Sequence, residues 1–538
     1  MIKQTANQAR VAVKRFFGFA STVNGAALLL ASAYFASRLL ALVRDRLLAT
    51  GFGAGSELDV YYTAFRVPDF LFNVLIFGAV SAAFIPIFAG YLARKQTDQA
   101  NHIASTVLTI GTMVMIIAAG LTYLFAPQIL PVIAPGFSAS QLTELTELTR
   151  VMLLSPILFG LSGIFGSILQ SNQRFLAYAT APLLYNLGII AGALVAPEKG
   201  LIWLAYGVVF GALLQMVVQL AAAARTSFKF RPSLDWHQPG VQRIFWLMIP
   251  TTIGVGIVQL NLLVETVIAT TLQEGSVAQF FLATSLSMVP VSVVGASFAT
   301  AVFPVLARAA ETKQTDLYVQ NLLTVIRHVL FLVIPMSIAM MLLRAQIVRL
   351  IYGAGKFDFE DTRYVTSLLG ILAVSLFAQA LIPLMAKAFY SLRNTKTPVV
   401  IAAFSMLLNI VGAFIASHYL GVIGLAVSFS AASIIQLALL FFFLSVRVPQ
   451  IEDPKLFSAI TRITFASLVM GAAIYGTLYG VAALAEDLQR NYTVAFFALQ
   501  AGTATIVGGL VYLGAATAFG LSEPRQFLAK VFRRSAAS

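Results

Sequence analysis

Charged side chains interrupt the first apolar segment of the chain, where a lipid-facing helix does not tolerate them. The stretch SRLLALVRDRLLAT, residues 37 to 50, carries Arg38, Arg44, Asp45 and Arg46. A charge near the bilayer centre costs at least about 3 kcal/mol, so it faces a polar cavity or a partner. Arg38 lies roughly 20 Å along the predicted helix, too deep to extend back to the nearer surface. We therefore predict that Arg38 lines a cavity.

The other charges of this stretch have structural alternatives. Arg44 fits a cavity position and an interfacial helix end equally well, whereas Arg46 is better explained by the helix end. Arg38 and Asp45 are two turns apart on one helix face, so an internal ion pair is a further alternative.

A second group of charges lies in the stretch GSELDVYYTAFRVPDF. Ser56 and Asp59 form a helix-capping pattern, which is the structural alternative to a cavity role for Asp59. Arg66 precedes Pro68, which loosens the helix, and can pair with Asp59 or Asp69 on neighbouring turns.

Glu265 is the only acidic residue in the apolar run VQLNLLVETVIAT. A lone carboxylate at this depth is protonated, paired with a cation, or bound to the ion that drives transport. We favour a coupling-ion site and keep structural pairing, for example with Lys387, as the alternative.

The composition predicts an all-α polytopic membrane protein. Of 538 residues, 59% are hydrophobic and 10% are charged, against roughly 25% charged residues in soluble domains. The net charge of +14 comes from Lys and Arg spread over short loops, which excludes a nucleic-acid site. The chain has no Cys and four dispersed His, and no catalytic motif or resident cofactor is indicated.

Apolar runs of about 20 residues mark the membrane crossings. They predict about fourteen helices, near 23–50, 57–92, 102–125, 144–170, 177–196, 200–223, 242–273, 277–309, 317–343, 362–391, 397–418, 421–445, 457–483 and 493–519. The distribution of Lys and Arg between alternate loops predicts that both termini are cytoplasmic.

An internal repeat relates residues about 220 positions apart. FIPIFAGYLARKQTD, after the second helix, recurs as VFPVLARAAETKQTD, after the eighth. Two parallel six-helix repeats suit alternating access. We predict an amphipathic cytoplasmic segment (1–22), a first lobe (23–223), a cytoplasmic linker (224–241), a second lobe (242–445), two extra helices (456–519) and a basic cytoplasmic tail (520–538).

Several motifs resemble those of the MurJ (MviN) lipid II flippase family, in the multidrug/oligosaccharidyl-lipid/polysaccharide (MOP) exporter superfamily. The family typically reads S-R-x-L-G-x-x-R-D, then F-G-A-G, then D-A-F-x-x-A-F-x-x-P-N. This chain reads SRLLALVRDRLLATGFGAGSELDVYYTAFRVPDF, followed later by IAPGF, YGAGKF and AFYSLRNTKTPV. Together with the helix count, these matches cover nearly the whole chain.

The resemblance implies a transporter, not an enzyme, in the bacterial cytoplasmic membrane. It would move lipid-linked peptidoglycan precursor, lipid II, from the inner to the outer leaflet by alternating access. Arg38, Arg44 and Asp59 would take the positions of the family's cavity charges, with Arg66 beside them. The arginines would bind the undecaprenyl-linked pyrophosphate. The two extra helices would form a groove for the lipid tail.

The resemblance also implies the coupling and the partners. Glu265 would respond to Na+ or H+, with Asn409 as a second ligand in a candidate Na+ site. The partners would be the lipid-linked glycan, membrane lipids and cell-wall synthesis enzymes.

The sequence departs from the family pattern at five expected charges. Phe72, Asn73 and Phe77 replace two arginines and a glutamate, and Thr284 and Ser285 replace an Asp-Arg pair. The alternatives are therefore a flippase for another undecaprenyl-linked glycan, a cation-coupled small-molecule exporter, or a transport-inactive scaffold for cell-wall enzymes. The costly charges that remain in the membrane argue against the scaffold.

Overall fold

The computed structural model describes residues 23–77, 83–451, 453–484 and 493–524, and every regular element in these ranges is helical. Eleven of the described helices are long and apolar enough to cross a membrane, or twelve if a pair bent by 47° is one span. The other two predicted spans correspond to Val23–Phe52 and to shorter helical segments between Ser56 and Ala93. The predicted all-α polytopic fold is confirmed, with fourteen as an approximate count. The predicted segment 1–22 and most of the tail 520–538 lie outside the described residues.

The chain forms two compact units, Met1–Glu274 and Gly275–Ser538. The sequence predicts that the two lobes are separated by the linker 224–241. The boundary between the two units instead follows the helix Pro239–Thr270. This helix packs on Thr97–Ile133 and Arg66–Phe72, which belong to the first unit. The first unit therefore also contains Glu265.

The helices of the first unit are α1 (Val23–Phe52), α2 (Ser56–Ala64), α3 (Arg66–Phe72), α4 (Ile85–Ala93), α5 (Thr97–Ile133), α6 (Ala139–Met152), α7 (Leu154–Ser171), α8 (Phe175–Lys199), α9 (Ile202–Ala223) and α10 (Pro239–Thr270). Those of the second are α11 (Ser276–Pro290), α12 (Ser297–Glu311), α13 (Thr315–Leu342), α14 (Arg344–Tyr352), α15 (Phe359–Val374), α16 (Leu376–Ser391), α17 (Lys396–Leu420), α18 (Val422–Arg447), α19 (Pro454–Leu484) and α20 (Thr493–Ala518).

The second predicted span is broken between α2 and α3. Pro68 has no N–H to donate to the carbonyl of Ala64, so the helical bonding is interrupted and the chain turns at Phe65. Farther along, the Asn73 amide donates to the carbonyl of Asp69 at 2.9 Å, where a π-helical segment, Asn73–Phe77, begins. The break separates α3, which carries Arg66, from α2, which carries Asp59.

The internal repeat is also visible in the backbone of the two units. A second π-helical segment, Val291–Ala296, lies between α11 and α12, about 220 residues after the first. Lys95 and Lys313 both adopt left-handed φ angles, of 60° and 55°, at the ends of α4 and α12. Equivalent elements therefore bend and end in the same way.

Glycines hold α8 and α9 at backbone contact. A Cβ on Gly188 would overlap the Cα of Gly211, and one on Gly192 would lie 2.9 Å from the Cα of Gly207. Small residues spaced four apart allow such close approach in membranes. The crossing fixes α8, which in turn packs against α1 and its arginines.

Candidate functional site

Arg44 is held by its neighbour Asp45 in α1. Asp45 Oδ1 accepts hydrogen bonds from Arg44 Nη2 at 2.7 Å and Nε at 2.9 Å. The Asp45 side chain is fully buried, whereas the Arg44 side chain remains 18% exposed. The pair therefore keeps the guanidinium at the edge of the packed region, where part of it remains accessible.

Asn186 of α8 holds the other side of the same guanidinium. Arg44 Nη1 donates to Asn186 Oδ1 at 3.4 Å, and the Asn186 amide donates to Ser37 Oγ at 3.2 Å. A guanidinium has five N–H groups. The contacts to Asp45 and Asn186 use three of them, which leaves one N–H on each terminal nitrogen for a ligand.

Arg66 connects α3 to α10. Its Nε donates to Thr266 Oγ1 at 2.7 Å, and Thr266 in turn donates to the carbonyl of Leu262. Asp69 and Glu265 both attract Arg66 electrostatically, and Asp69 also attracts Arg44. The first unit therefore brings predicted site residues from α1, α3 and α10 into one charged cluster.

Glu265 is buried in α10, with 5% of its surface exposed. Asn261, one turn earlier, donates to Glu265 Oε1 at 2.9 Å. The described residues contain no group of three or more His, Asp or Glu side chains arranged to hold a metal ion. Carboxylate and amide oxygens suit a hard cation, but this pair alone supplies few of the ligands, so the Na+ site stays a prediction.

Asn409, the other predicted ligand, belongs to the second unit. It is buried in α17, and Ser428 Oγ of α18 donates to both its side-chain and its backbone oxygen. Lys387, the alternative partner considered for Glu265, donates to Thr300 Oγ1 at 2.8 Å in the same unit.

The remaining predicted residues occupy distinct positions in the first unit. Asp59 is 3% exposed in the first turn of α2. Arg38 and Arg46 are both half-buried on α1. All three make further contacts, so burial alone does not separate a ligand role from a structural one.

The described side chains at the positions that lack the expected charges make ring contacts or hydrogen bonds instead. Phe72 packs against Phe159 with ring centroids 5.3 Å apart, and Asn73 caps the carbonyl of Asp69. Thr284 donates to the carbonyl of Phe280. The side chain of Phe77 lies outside the described residues.

The second unit contains an apolar cavity of about 1010 Å³. Its walls come from α13, α15, α16, α18 and α19, including Ile334, Phe377, Phe441 and Ile460. The sequence predicts that the two extra helices, α19 and α20, form the groove for the lipid tail. Of these, α19 lines the cavity, while α20 is anchored by Tyr512, which donates to the carbonyl of Phe331 at 2.7 Å.

Sequence reasoning missed Asn186, Thr266 and Asn261, which contact the predicted charges. Each is an uncharged polar residue in an apolar helix, a weak signal because such residues commonly bond to their own backbone. Their partners lie on other helices or one turn away, so only the packed structure identifies Asn186 and Thr266 as site residues.

Residues 48–501 match the sequence profile of a family described as MurJ, lipid II flippase MurJ. The chain belongs to the MurJ family. Its curated MurJ relatives include a probable lipid II flippase MurJ of Vibrio cholerae, 30% identical over 455 residues, covering 81% of this chain and 86% of that protein. A protein of the same name from Rhizobium meliloti is 30% identical and covers 86% of each chain.

Solved structures agree with membership of the MurJ family. A lipid II flippase MurJ in an inward closed conformation is 25% identical, with a TM-score of 0.77, covering 91% of this chain and 98% of that one. An inward-facing MATE transporter of the MOP superfamily is 16% identical, with a TM-score of 0.66 over 78% of this chain and 96% of that one, and shares the fold. The MurJ match and the many apolar helices make the chain a multi-pass protein of the bacterial inner membrane.

Proposed function

We propose that the chain is a transporter that moves lipid II, or a closely related lipid-linked glycan, across the bacterial inner membrane by alternating access. The observation that carries the proposal is the Arg44 guanidinium, fixed by Asp45 and Asn186 with two N–H groups remaining. Two N–H groups on one planar cation match two phosphate oxygens. Arg66, held by Thr266, supplies a second cation in the same cluster.

The apolar cavity of the second unit supports a lipid substrate. Its volume of about 1010 Å³ and its aliphatic and aromatic walls suit part of a long isoprenoid chain. A soluble substrate would gain little from such a cavity. We assign it to the undecaprenyl tail.

A flippase for another undecaprenyl-linked glycan is the second candidate. It is favoured by Phe72, which packs on Phe159 where the family pattern has an arginine. Such a substrate would share the pyrophosphate and the tail with lipid II and differ in its sugars or peptide.

The coupling and the orientation complete the proposal. Glu265 responds to Na+ or H+, since a carboxylate buried in a membrane helix changes its interaction with Arg66 when it binds a cation or a proton. Both termini lie in the cytoplasm according to the positions of Lys and Arg in the loops.

Reconstitution tests the proposal directly. Proteoliposomes containing the full chain and lipid II labelled on its peptide are treated with an external reagent that destroys the label. We expect translocation by the parent chain and its loss in the Arg44→Ala variant. A correctly inserted parent chain that moves no lipid II, but moves a different undecaprenyl-linked glycan, would favour the second candidate.

A further inference from the structure

Three aromatic side chains from three helices pack together beside the charged cluster of the first unit. Phe72 of α3 and Phe159 of α7 have ring centroids 5.3 Å apart, tilted by 51°. Phe159 and Tyr185 of α8 are 4.9 Å apart, edge to face at 79°. All three are half-buried, so each ring keeps accessible surface. We call these three residues the aromatic trio.

Tyr185 points into the first unit. Leu187 and Leu194 are strongly exposed on α8, and they lie about 200° and 180° around the helix from Tyr185. The Tyr185 hydroxyl is also close enough to Arg44 and Asp69 to interact with both electrostatically. The aromatic trio therefore borders the arginine cluster.

Asp69 places a hydrogen-bond acceptor next to the aromatic trio. It precedes Phe72 by three residues, so the two side chains lie about 60° apart around α3. Arg44 and Arg66 attract it. Within the described part of the chain, however, its carboxylate accepts no hydrogen bond: its backbone N–H donates to the carbonyl of Phe65, and its backbone carbonyl accepts from Asn73. Both carboxylate oxygens are available to a ligand.

We propose that the aromatic trio and Asp69 bind a pyranose ring of the glycan head group; this rests on the proposed function. The C–H face of a pyranose carries partial positive charge and packs on the electron-rich face of an aromatic ring. Its hydroxyl groups donate hydrogen bonds, for which a carboxylate is a strong acceptor.

Other ligands would use only part of this arrangement. An isoprenoid chain would pack on the rings but leave Asp69 without a donor. A metal cation would bind Asp69 but gain nothing from the edge-to-face contact of Phe159 and Tyr185. A sugar attached to a pyrophosphate uses the rings, the carboxylate and Arg44 together. Phe72 thus contacts the substrate by ring packing at a position where the family pattern has a charge.

Two probe lipids separate this subsite from the phosphate site. Equilibrium binding to the full chain in detergent is measured for undecaprenyl pyrophosphate and for the same lipid carrying one N-acetylated hexose. We expect Phe72→Leu and Phe159→Leu each to weaken binding of the glycosylated lipid about fivefold, and to change binding of undecaprenyl pyrophosphate by less than about twofold. Tyr185→Phe, which keeps the ring, should retain the preference for the glycosylated lipid.

The controls keep the outcomes distinct. Phe125→Leu removes an exposed ring elsewhere in the first unit and should leave both affinities unchanged, and thermal unfolding confirms that each variant is folded. If the folded Phe72→Leu and Phe159→Leu variants bind both lipids like the parent, or lose affinity for both lipids equally, the pyranose subsite is overturned. The phosphate site is then still tested separately by Arg44→Ala. A parent chain that binds neither lipid would overturn the proposed function and the subsite with it.

Discussion

Asn186 should determine how well Arg44 binds phosphate, although it is not expected to touch the substrate. Asn186→Ala removes the acceptor for Arg44 Nη1 and the donor to Ser37, while both bonds to Asp45 remain. The guanidinium then keeps its charge and its main ion pair but gains freedom to rotate. The expected effect is weaker binding without loss of the site.

The magnitude follows from the geometry of the lost bond. A hydrogen bond to a charged group contributes about 1.5 to 3 kcal/mol. The Arg44–Asn186 bond measures 3.4 Å, which is longer than the 2.7 to 3.2 Å usual for N–H···O bonds, so we assign it about 1 kcal/mol, or about a fivefold loss of affinity. Asn186→Asp keeps an acceptor but places a second carboxylate beside Arg44, so it should weaken binding of the anionic pyrophosphate more than Asn186→Ala does.

Binding of undecaprenyl pyrophosphate to the full chain in detergent measures this effect, with Asn321→Ala as the matched control. Asn321 lies on the exposed surface of α13 and donates only to the carbonyl of Leu317, so its substitution should not change the affinity. An Asn186→Ala variant that binds as tightly as the parent would refute the positioning role. Equal losses in the Ala and Asp variants would indicate a packing defect instead.

Three further predictions concern stability and pH. Gly188→Ala should lower the free energy of unfolding in detergent by about 1 to 3 kcal/mol, because the added Cβ overlaps α9. Gly120→Ala is the control, since Gly120 has open space around it. Equal stability of the two variants would contradict the close contact between α8 and α9. Lys95→Gly should raise the free energy of unfolding by about 1 kcal/mol, because glycine adopts the left-handed φ of 60° without strain; a decrease would show that the Lys95 side chain outweighs the strain. A hydrogen bond from His102 lowers the pKa of Asp235 in the 224–238 segment. This contact should therefore persist above about pH 4 and be lost as the pH falls through the lowered pKa, where hydrogen exchange of the segment should rise. An Asp235→Asn variant whose hydrogen exchange has the same pH profile as the parent would contradict this prediction.

The sequence predicts the membrane helices and the charged residues of the site for the same reason. Transfer of a backbone into lipid requires long apolar helices, and a charge within one is costly enough to signal a function or a partner. Arg44 and Arg66 were identified in this way. The break near Phe65 also follows from Pro68, because the missing N–H is a local property of the chain.

The remaining features depend on packing between distant segments. Asn186 contacts Arg44 only because the glycine crossing of α8 and α9 sets the position of α8 against α1. The unit boundary follows α10 because α10 packs on α3 and α5. Hydropathy predicts that α10 is a membrane helix but not which helices it packs against. The aromatic trio joins Phe72 to residues about 90 and 110 positions later, beyond the range of any helical periodicity.

Rescue of a bacterium depleted of its own lipid II flippase tests the central claim most directly. Survival is scored together with exposure of lipid II on the outer leaflet to an externally confined degrading enzyme. The account predicts survival and exposure with the parent chain, and loss of both with Arg44→Ala at equal membrane abundance. An abundant, inserted parent chain that exposes no lipid II, or an Arg44→Ala variant that exposes it as well as the parent, would contradict the account.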